Sequence, residues 1–523
     1  MITRVKGSYV IGYNGADHEI IRDGEVVYEN DTIIYVGKHY EGEVSKTEDA
    51  GNAVIMPGFI DLNALGDIDH DILHTEAFSN IRSSLNPSEE YFEKGTHEVM
   101  TAEEEAFKSL YAYTQLIMHG ITTAMPITST YYKKWADTYE EEEAGVHHAG
   151  RLGLRLYTSP SYQCGLNVVR PDGTMTVRYL EGQGEEGLER AVRFIRKYDG
   201  AYDGLIRGAL LPERIETQTE ENLIRTKQYA EELKCPIKLH AAQGLFEYRF
   251  IKERTGKSPV EYLESIGFLG KNVGIPHCYI VKGTRWVEDG GDDLSILSNT
   301  DTTAIFCPVI IGRSGHYQDS FAKYRARNIN VAVGTDTFPP DFFQNIRIAS
   351  WFSQMAENKV EGSAMADVYR AVTLGGSALL GREDLGRLAP GAKADMIAVD
   401  LEDFHMGAVD DPIRTIFMCG CGRDVKLSVI NGKTVMKNRT IEGVDLEEIK
   451  AKGQKYYDKM RMGYMERDYR HLSEDELFRP SFPIHKLRRD CSVRKVRIKE
   501  DTYVRFAAHQ CCSHYNGRET ACD

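Results

Sequence analysis

The feature that most constrains the fold is an alternation of short apolar runs with charged, helix-period segments through the middle of the chain. Amphipathic segments such as 101–118 and 220–233 separate most of the apolar runs. Strands that alternate with helices form a parallel sheet, and eight such units close into a barrel. The sequence therefore predicts an α/β fold, a (β/α)₈ TIM barrel. Its eight predicted strands are residues 54–61, 121–127, 154–160, 205–211, 235–241, 272–278, 302–308 and 329–336.

An open, doubly wound sheet is the alternative that the same alternation allows. Many folds of that type carry a glycine-rich phosphate loop directly after the first strand. Residues 62–75, which follow the first predicted strand, contain no such loop. We therefore favour the barrel.

β-Rich segments flank the predicted barrel on both sides. Residues 1–56 contain short apolar runs separated by Asn-Gly, Asp-Gly and Asn-Asp turns, and residues 385–440 show a similar strand–turn–strand pattern. Such turns favour hairpins. The chain of 523 residues is also too long for a single hydrophobic core, since domains usually hold roughly 100–200 residues. We expect a small composite β-sandwich of residues 1–56 plus 385–440, a barrel of residues 57–384, and a C-terminal helical and irregular extension of residues 441–523.

The composition narrows the class of partner. The formal net charge is −15, which disfavours a broad nucleic-acid surface or an anionic membrane surface as partner. The first residues lack the apolar core of a signal peptide, and no apolar run approaches the roughly 20 residues that span a bilayer. We expect a cytoplasmic protein that acts on a small molecule and binds neither nucleic acid nor membrane. We expect a homo-oligomer in which the tail beyond Phe478 wraps a neighbouring subunit.

Three of the predicted strands end in residues that bind metals. His240 ends the fifth strand, His277 the sixth and Asp336 the eighth. In such barrels the reactive residues lie at the carboxyl ends of the strands, where the loops converge on one face. A single histidine there is usually a hydrogen-bonded structural residue. Two imidazoles and a carboxylate at matching strand ends instead predict a site for zinc or a similar divalent ion.

These residues, together with further motifs, make the sequence resemble the amidohydrolase superfamily. The resemblance covers about residues 5–440 and implies a metal-dependent hydrolase built on a (β/α)₈ barrel. Ile305-Phe306-Cys307-Pro308 and Asp411-Pro412-Ile413 are similar to the branch of triazine hydrolases and related deaminases. The motifs that carry the superfamily resemblance are Met56-Pro57-Gly58-Phe59-Ile60-Asp61, His240, His277, Gly334-Thr335-Asp336, Leu374-Gly375-Gly376-Ser377-Ala378 and the segment 386–395.

The first strand departs from the family pattern. The family usually places His-x-His directly after the strand-one aspartate, whereas this chain has Asn63-Ala64-Leu65. Asn63 can offer its carbonyl oxygen to a metal, but Leu65 cannot bind one. This altered motif is similar to that of a subgroup of molinate and phenylurea hydrolases. Asp69 and His70 follow on the same loop, where we expect substrate contacts; a structural ion pair is the equally reasonable alternative.

Two further departures concern the fifth and fourth strands. The deaminase branch commonly carries a glutamate three residues after the strand-five histidine, and this chain has Gln243, which can orient a substrate but cannot titrate. Two-metal members carry a carboxylated lysine on strand four, and this chain offers Arg207. We therefore expect one divalent ion, with zinc first and iron, manganese or cobalt as alternatives. The expected ligands are His240, His277, Asp336 and Asn63.

The leading hypothesis is hydrolysis of a C–N bond in an amide, carbamate or urea-like small molecule by metal-activated water. Hydrolytic deamination or dehalogenation of a heteroaromatic ring is the second, weakened by Gln243. A catalytically inactive scaffold barrel is the third, suggested by the missing His-x-His. Asp336 and His277 are the expected catalytic residues, and the expected substrate contacts are Gln243, Asp69, His70 and His316.

Overall fold

Residues at the start of the chain form one part of a mixed β-sheet. The computed structural model describes residues 1–68 and 85–485. β1 and β2 pair in antiparallel register from Ile2 opposite Glu29 to Tyr13 opposite His18. The first five strands are β1 (Ile2–Tyr13), β2 (His18–Glu29), β3 (Thr32–Gly37), β4 (Lys46–Asp49) and β5 (Ala53–Pro57).

The middle of the chain contains two parallel sheets of four strands and one hairpin. In order, these strands are β6 (Phe59–Leu65), β7 (Ile121–Ile127), β8 (Arg155–Thr158), β9 (Gly165–Val169), β10 (Met175–Tyr179), β11 (Ile206–Gly208), β12 (Ile237–Lys238), β13 (Val273–Pro276), β14 (Thr303–Phe306) and β15 (Val331–Val333). One sheet has the order β11-β8-β7-β6, and the other has the order β12-β13-β14-β15. β9 and β10 form the hairpin.

Backbone hydrogen bonds join the two parallel sheets on both sides. On one side, Leu210 donates its N–H to the Pro236 carbonyl and accepts from the N–H of Lys238, both over 3.0 Å. On the other side, the N–H of Asp336 donates to the Asn63 carbonyl over 2.6 Å. The eight parallel strands thus form one ring, as a (β/α)₈ barrel requires. The predicted fold class is confirmed.

The helices cover the outside of the barrel and begin at well-formed caps. Thr101, for example, accepts from the N–H of Glu104 while the Glu104 side chain accepts from the N–H of Thr101. The helices of at least five residues are Glu89–Lys94, Ala102–Met118, Tyr139–Leu152, Gln183–Tyr198, Glu220–Leu233, Leu245–Thr255, Pro259–Ser265, Asp293–Asn299, Pro308–Arg313, Phe321–Arg325, Phe342–Glu357, Met365–Arg370, Pro412–Cys419 and Leu446–Arg467. Shorter helices are Ala201–Gly204, Gly376–Leu379 and Glu474–Leu477. Among the described residues, no helix is both long enough and apolar enough to cross a bilayer.

After the barrel the chain returns to the first sheet. The returning strands are β16 (Met396–Asp400), β17 (Val425–Ile430) and β18 (Lys433–Lys437). The resulting sheet has eight strands in the order β18-β17-β16-β5-β1-β2-β3, with β4 beside β1. β5 and β16 pair antiparallel from Ala53 opposite Asp400 to Pro57 opposite Met396. Both flanking segments therefore contribute to one β-structure, although the exact domain boundaries at residues 56, 384 and 440 stay predictions.

Two local features differ from the sequence prediction. The predicted strand 54–61 is two strands, because residues up to Pro57 pair within the mixed sheet and the barrel strand begins at Phe59. A continuous apolar run does not show where a chain passes from one sheet into another. The β9–β10 hairpin was not predicted at all. It follows the third barrel strand and pairs from Gly165 opposite Tyr179 to Val169 opposite Met175.

The helical part of the C-terminal extension packs on the loops at the mouth of the barrel. Tyr456, Met460 and Tyr464 of the Leu446–Arg467 helix join a buried cluster with Ile68. Arg467 is buried and donates to the carbonyls of Tyr131 over 2.6 Å and Lys133 over 2.9 Å. Residues 1–479 form one compact unit, and residues 480–523 are a separate unit. Within that second unit the structure describes residues 480–485, which contain neither helix nor strand.

A buried ion pair ties the barrel to the strands that return from it. Arg155 on β8 donates to both carboxylate oxygens of Asp395, at 3.0 and 3.1 Å. The side chains are 1% and 4% exposed. Asp395 also accepts from the N–H of Asn431, over 2.7 Å. Removing one member would leave the other charge buried without its partner, which is more costly than losing an exposed pair.

Asp395→Asn should therefore destabilise the protein by about 3 kcal/mol or more. The measurement is the shift of the denaturant or thermal unfolding transition relative to the wild type. Glu232→Gln is the matched control, because it breaks an exposed pair with Arg196 whose side chains are 53% and 56% exposed. The control should change stability little. Equal effects of the two substitutions would contradict the role assigned to the buried pair.

Candidate active site

The three predicted metal ligands meet at one end of the barrel. His240, His277 and Asp336 each follow a parallel strand, β12, β13 and β15 respectively. All three are buried, and each offers a ligand atom that lies within 4.8 Å of the other two. The Nε2 atom of His277 lies 3.3 Å from Oδ2 of Asp336. In the described part of the chain this is the one group of three or more His, Cys, Asp or Glu residues close enough to hold a metal ion.

The backbone turns sharply where two of these residues leave their strands. His277 and Asp336 have φ values of 66° and 63°, in the left-handed region that non-glycine residues seldom adopt. The N–H of His277 donates to the Ile305 carbonyl over 2.7 Å, and Asp336 is held by its bond to Asn63. Unfavourable backbone conformations of this kind cluster at functional sites.

A backbone hydrogen bond fixes the orientation of the His240 ring. Its Nδ1 lies 2.9 Å from the carbonyl oxygen of Glu213, so Nδ1 carries the proton and donates. Nε2 then keeps its lone pair for a metal, the arrangement usual for ligating histidines. Burial, with the Arg214 charge second, lowers the pKa of His240 well below its usual value. The ring is therefore neutral, as a metal ligand must be.

Asn63 lies beside this group, as predicted from its position at the end of the first strand. Its amide Nδ2 donates to Oδ2 of Asp336 over 3.0 Å. Its Oδ1 is buried and has no hydrogen-bond partner. Burial also raises the pKa of Asp336 to about 6, so a nearby cation would favour its charged form. An unpaired carbonyl oxygen, two imidazoles and a buried carboxylate fit a divalent ion.

The first and eighth strands approach closely at this point. A Cβ atom on Gly334 would lie 2.5 Å from the Cβ of Asn63, so the position requires glycine. Asp61 on β6 accepts from the hydroxyl of Thr335 over 2.5 Å and from its N–H over 3.1 Å. The Gly-Thr-Asp motif thus serves both barrel closure and the placement of Asp336.

The fourth strand contributes no metal ligand. Arg207 points outward and pairs with Asp199 at 2.8 Å, with both side chains 41% exposed. A lysine does enter the barrel, but from the fifth strand, and it was not singled out in the sequence. Lys238 is buried and donates to the carbonyls of Met125 over 3.0 Å and Pro126 over 2.8 Å. Burial lowers the pKa of Lys238 to about 7.

A cavity of about 340 Å³ opens above the three ligands. Gln243 lines it, and its Oε1 accepts from Nη1 of Arg214 over 2.6 Å. That bond directs the Gln243 carbonyl towards Arg214 and leaves the amide N–H groups as donors. Substrate contact by Gln243 stays a prediction. Apolar walls are supplied by Leu65, Pro126, Ile127, Leu211, Phe246 and Ile310. Most small-molecule sites combine such walls with a few placed polar groups.

Of the remaining predicted contacts, His316 is the one that lies among the described residues. His316 is absent from the cavity lining; Nδ1 of His316 lies 3.1 Å from the Tyr279 hydroxyl, and its ring stacks on Trp286 with centroids 4.5 Å apart. His316 thus packs in an aromatic group with Tyr279 and Trp286. Asp69 and His70 lie outside the described residues. Substrate contact by any of the three stays a prediction.

Several acidic residues at the cavity were missed by the sequence analysis. Glu213, Glu216 and Glu247 all line it. Glu247 accepts from the N–H groups of Ala242 and Gln243, over 2.6 and 3.0 Å. Burial, with Glu216 second, raises the pKa of Glu247 to about 8. Of the three, Glu213 could have been found from the sequence, because it lies just after the fourth strand, where the βα loops of a barrel carry functional residues.

The fold and the site together define the class of protein. Residues 54–435 match the amidohydrolase family, which is most of the chain. The chain belongs to the amidohydrolase family. It is a metal-dependent hydrolase of the kind that acts on non-peptide carbon–nitrogen bonds, as the sequence predicted. The assignment to the molinate and phenylurea hydrolase subgroup stays a prediction.

Similar proteins include deaminases and triazine hydrolases. The chain is 26% identical over 456 residues to the 5'-deoxyadenosine deaminase of Methanosarcina acetivorans, covering 85% of this chain and 95% of the relative. It is 25% identical over 442 residues to the 5-methylthioadenosine/S-adenosylhomocysteine deaminase of Desulfitobacterium hafniense, covering 82% and 92%.

Solved structures show the same fold. A zinc-bound adenosine deaminase from Xanthomonas campestris has a TM-score of 0.70 at 16% identity, with 88% of this chain and 98% of that one covered. An atrazine chlorohydrolase from Arthrobacter aurescens in complex with zinc also has a TM-score of 0.70, at 18% identity, with 87% and 100% covered.

The purified protein should contain about one divalent ion per chain, because the described residues offer one cluster of ligands. His240→Asn should reduce metal affinity at least about 100-fold, more than the loss of a residue that only supports a ligand. Elemental analysis and metal titration measure both quantities. His147→Asn, at an exposed histidine, is the control and should bind metal normally. Two tightly held ions in the wild type would contradict this assignment.

Asn63→Ala should weaken metal affinity about 10–100-fold, because it removes an oxygen beside the site and the donor that orients Asp336. Asn330→Ala is the control, because Asn330 precedes β15 at the opposite end of the barrel. There its side-chain amide donates to the Thr303 hydroxyl and to the Gly375 carbonyl. His70→Ala, measured alongside, tests whether that imidazole replaces the missing first-strand histidine. A damaging His70→Ala with a mild Asn63→Ala would reverse the assignment.

Proposed function

We propose that this chain is a metal-dependent hydrolytic deaminase that removes an amino group from a small nitrogen heterocycle. The observation that carries the proposal is the placement of His240, His277 and Asp336 at the base of a cavity with apolar walls. The named deaminase activities of the relatives support the choice of reaction.

The donor set supports zinc as the ion, and two structures of the same fold contain it. A divalent ion at this site would supply the Lewis acidity that activates water for attack on carbon. The cytoplasmic location and the homo-oligomeric state expected from the sequence remain predictions alongside it.

The residues of the chain then have distinct tasks. The Asp336 carboxylate accepts the proton of the attacking water and passes it to the amino group, which leaves as ammonia. Its Oδ2 is oriented by the Asn63 amide. If the ion is held by His240, Asp336 and Asn63, then His277, which lies beside Oδ2 of Asp336, donates towards the developing charge on the substrate. The amide N–H of Gln243 donates to an acceptor on the ring, because its carbonyl is already bound by Arg214. The apolar walls hold the planar ring and exclude water.

Hydrolysis of an amide, carbamate or urea-like bond is the second candidate, and Gln243 is the observation that favours it. An amide cannot shuttle a proton to a ring nitrogen, whereas the cleavage of an acyclic C–N bond needs no such step. The two reactions release different products. Deamination yields ammonia from an aminated ring, and the alternative yields an amine from an amide or urea.

The zinc-loaded protein should release ammonia from at least one member of a panel of aminopyrimidines, aminotriazines and aminopurine nucleosides. Asp336→Asn should lower kcat about 100-fold or more, because it removes the proton acceptor. Asp403→Asn, at an exposed residue, is the control and should retain normal activity. A protein that releases amine from amides or ureas, but no ammonia from the ring panel, would exclude deamination in favour of the second candidate.

A further inference from the structure

Two adjacent charged residues follow the fourth barrel strand and face the cavity. Glu213 and Arg214 both line it, and their side chains are 14% and 20% exposed. Nε of Arg214 lies 3.5 Å from Oε2 of Glu213. In the described part of the chain, Arg214 is the one ion-pair partner of Glu213. The two side chains therefore bring a carboxylate and a guanidinium into the cavity with no net charge between them.

The hydrogen bonds leave both groups able to bind a ligand. A guanidinium has five N–H donors. Among the described residues, Arg214 donates one side-chain hydrogen bond, from Nη1 to Gln243. No side-chain or backbone donor among the described residues hydrogen-bonds to the Glu213 carboxylate. This part of the cavity wall therefore places an acceptor, Glu213, beside two donors, Arg214 and Gln243.

This pattern selects against charged ligands. A carboxylate placed on Arg214 would also meet the Glu213 carboxylate, and an ammonium on Glu213 would meet the guanidinium. A neutral group with an N–H donor next to a C=O acceptor satisfies both side chains at once. Leaving either buried group unpaired would cost binding free energy, which makes such a wall selective.

We propose that the Glu213–Arg214 pair recognises a lactam edge, an adjacent ring N–H and C=O, on the substrate. This inference rests on the proposed function and names the class of heterocycle: an aminated ring that also carries a lactam. The ring N–H donates to Glu213, the carbonyl accepts from Arg214, and Gln243 donates to a further acceptor on the same ring.

The position of the pair agrees with one ring spanning both sites. Arg214 and His240 are parallel bridge partners on neighbouring strands. Both residues line the same cavity as His277 and Asp336. A ring whose edge contacts Arg214 therefore lies in the same cavity as the metal ligands.

Binding of 2-pyridone and N-methyl-2-pyridone to the zinc-loaded protein tests the inference without turnover. The two probes share the carbonyl, but only 2-pyridone has the N–H. We expect 2-pyridone to bind about 10-fold or more tightly by calorimetry, the usual effect of a hydrogen bond to a charged group. Equal affinities of the two pyridones would overturn the proposal.

Two variants locate the contact. Arg214→Met should remove most of the affinity for 2-pyridone, and Glu213→Gln should increase the affinity for benzoate about 10-fold, because it leaves Arg214 without its counter-charge. Glu189→Gln is the matched control: Glu189 pairs with Arg225 at 2.6 Å away from the cavity lining, and its loss should alter neither probe. Metal content and the unfolding temperature of each variant show whether the site is intact.

The outcomes separate this inference from the proposed reaction. Discrimination between the pyridones with no ammonia released from any ring would keep the lactam subsite and reject deamination. Ammonia release without discrimination between the probes would keep deamination and reject the subsite. Unchanged benzoate affinity in a folded, metal-replete Glu213→Gln variant would also reject it.

Discussion

The hydrogen bond from the Asp336 N–H to the Asn63 carbonyl is the contact on which the rest of the site depends. It joins the last barrel strand to the first, over 2.6 Å, and Thr335 reinforces it through two bonds to Asp61. The same turn places the Asp336 carboxylate beside His277 and the Asn63 amide. The same contacts therefore close the barrel and place the Asp336 carboxylate. Gly334 allows the first and last barrel strands, β6 and β15, to approach closely enough.

The cavity has two chemically different sides. On one side, two imidazoles and a carboxylate suit a divalent ion. On the other side, the oppositely charged side chains of Glu213 and Arg214, together with the Gln243 amide, present hydrogen-bonding groups to the cavity. Arg214 links these sides, because it bridges the backbone of His240 and holds the carbonyl of Gln243. The positions of the catalytic and recognition groups are thus set by neighbouring strands rather than by separate flexible loops.

Much of this arrangement could be predicted from the sequence. The barrel followed from regular alternation, and His240, His277 and Asp336 followed from their places at strand ends, because topology brings those ends together. Glu213 and Arg214 were missed, since charged residues after a strand are common and their pairing depends on side-chain direction. The β9–β10 hairpin was missed because its strands are short and adjoin a third-strand loop. His316 lies outside the cavity lining and packs against Trp286, a contact that depends on side-chain direction and that the sequence does not show.

The pairing of β5 with β16 also bears on how the chain folds. It joins residues 53–57 to residues 396–400, so nearly the whole barrel separates the two partners in sequence. During synthesis, the first five strands emerge long before their central neighbour exists. Contacts of such long sequence separation form slowly, because closing the intervening loop has a large entropic cost. Until β16 arrives, β5 presents an unpaired edge, a template to which another chain can add a strand.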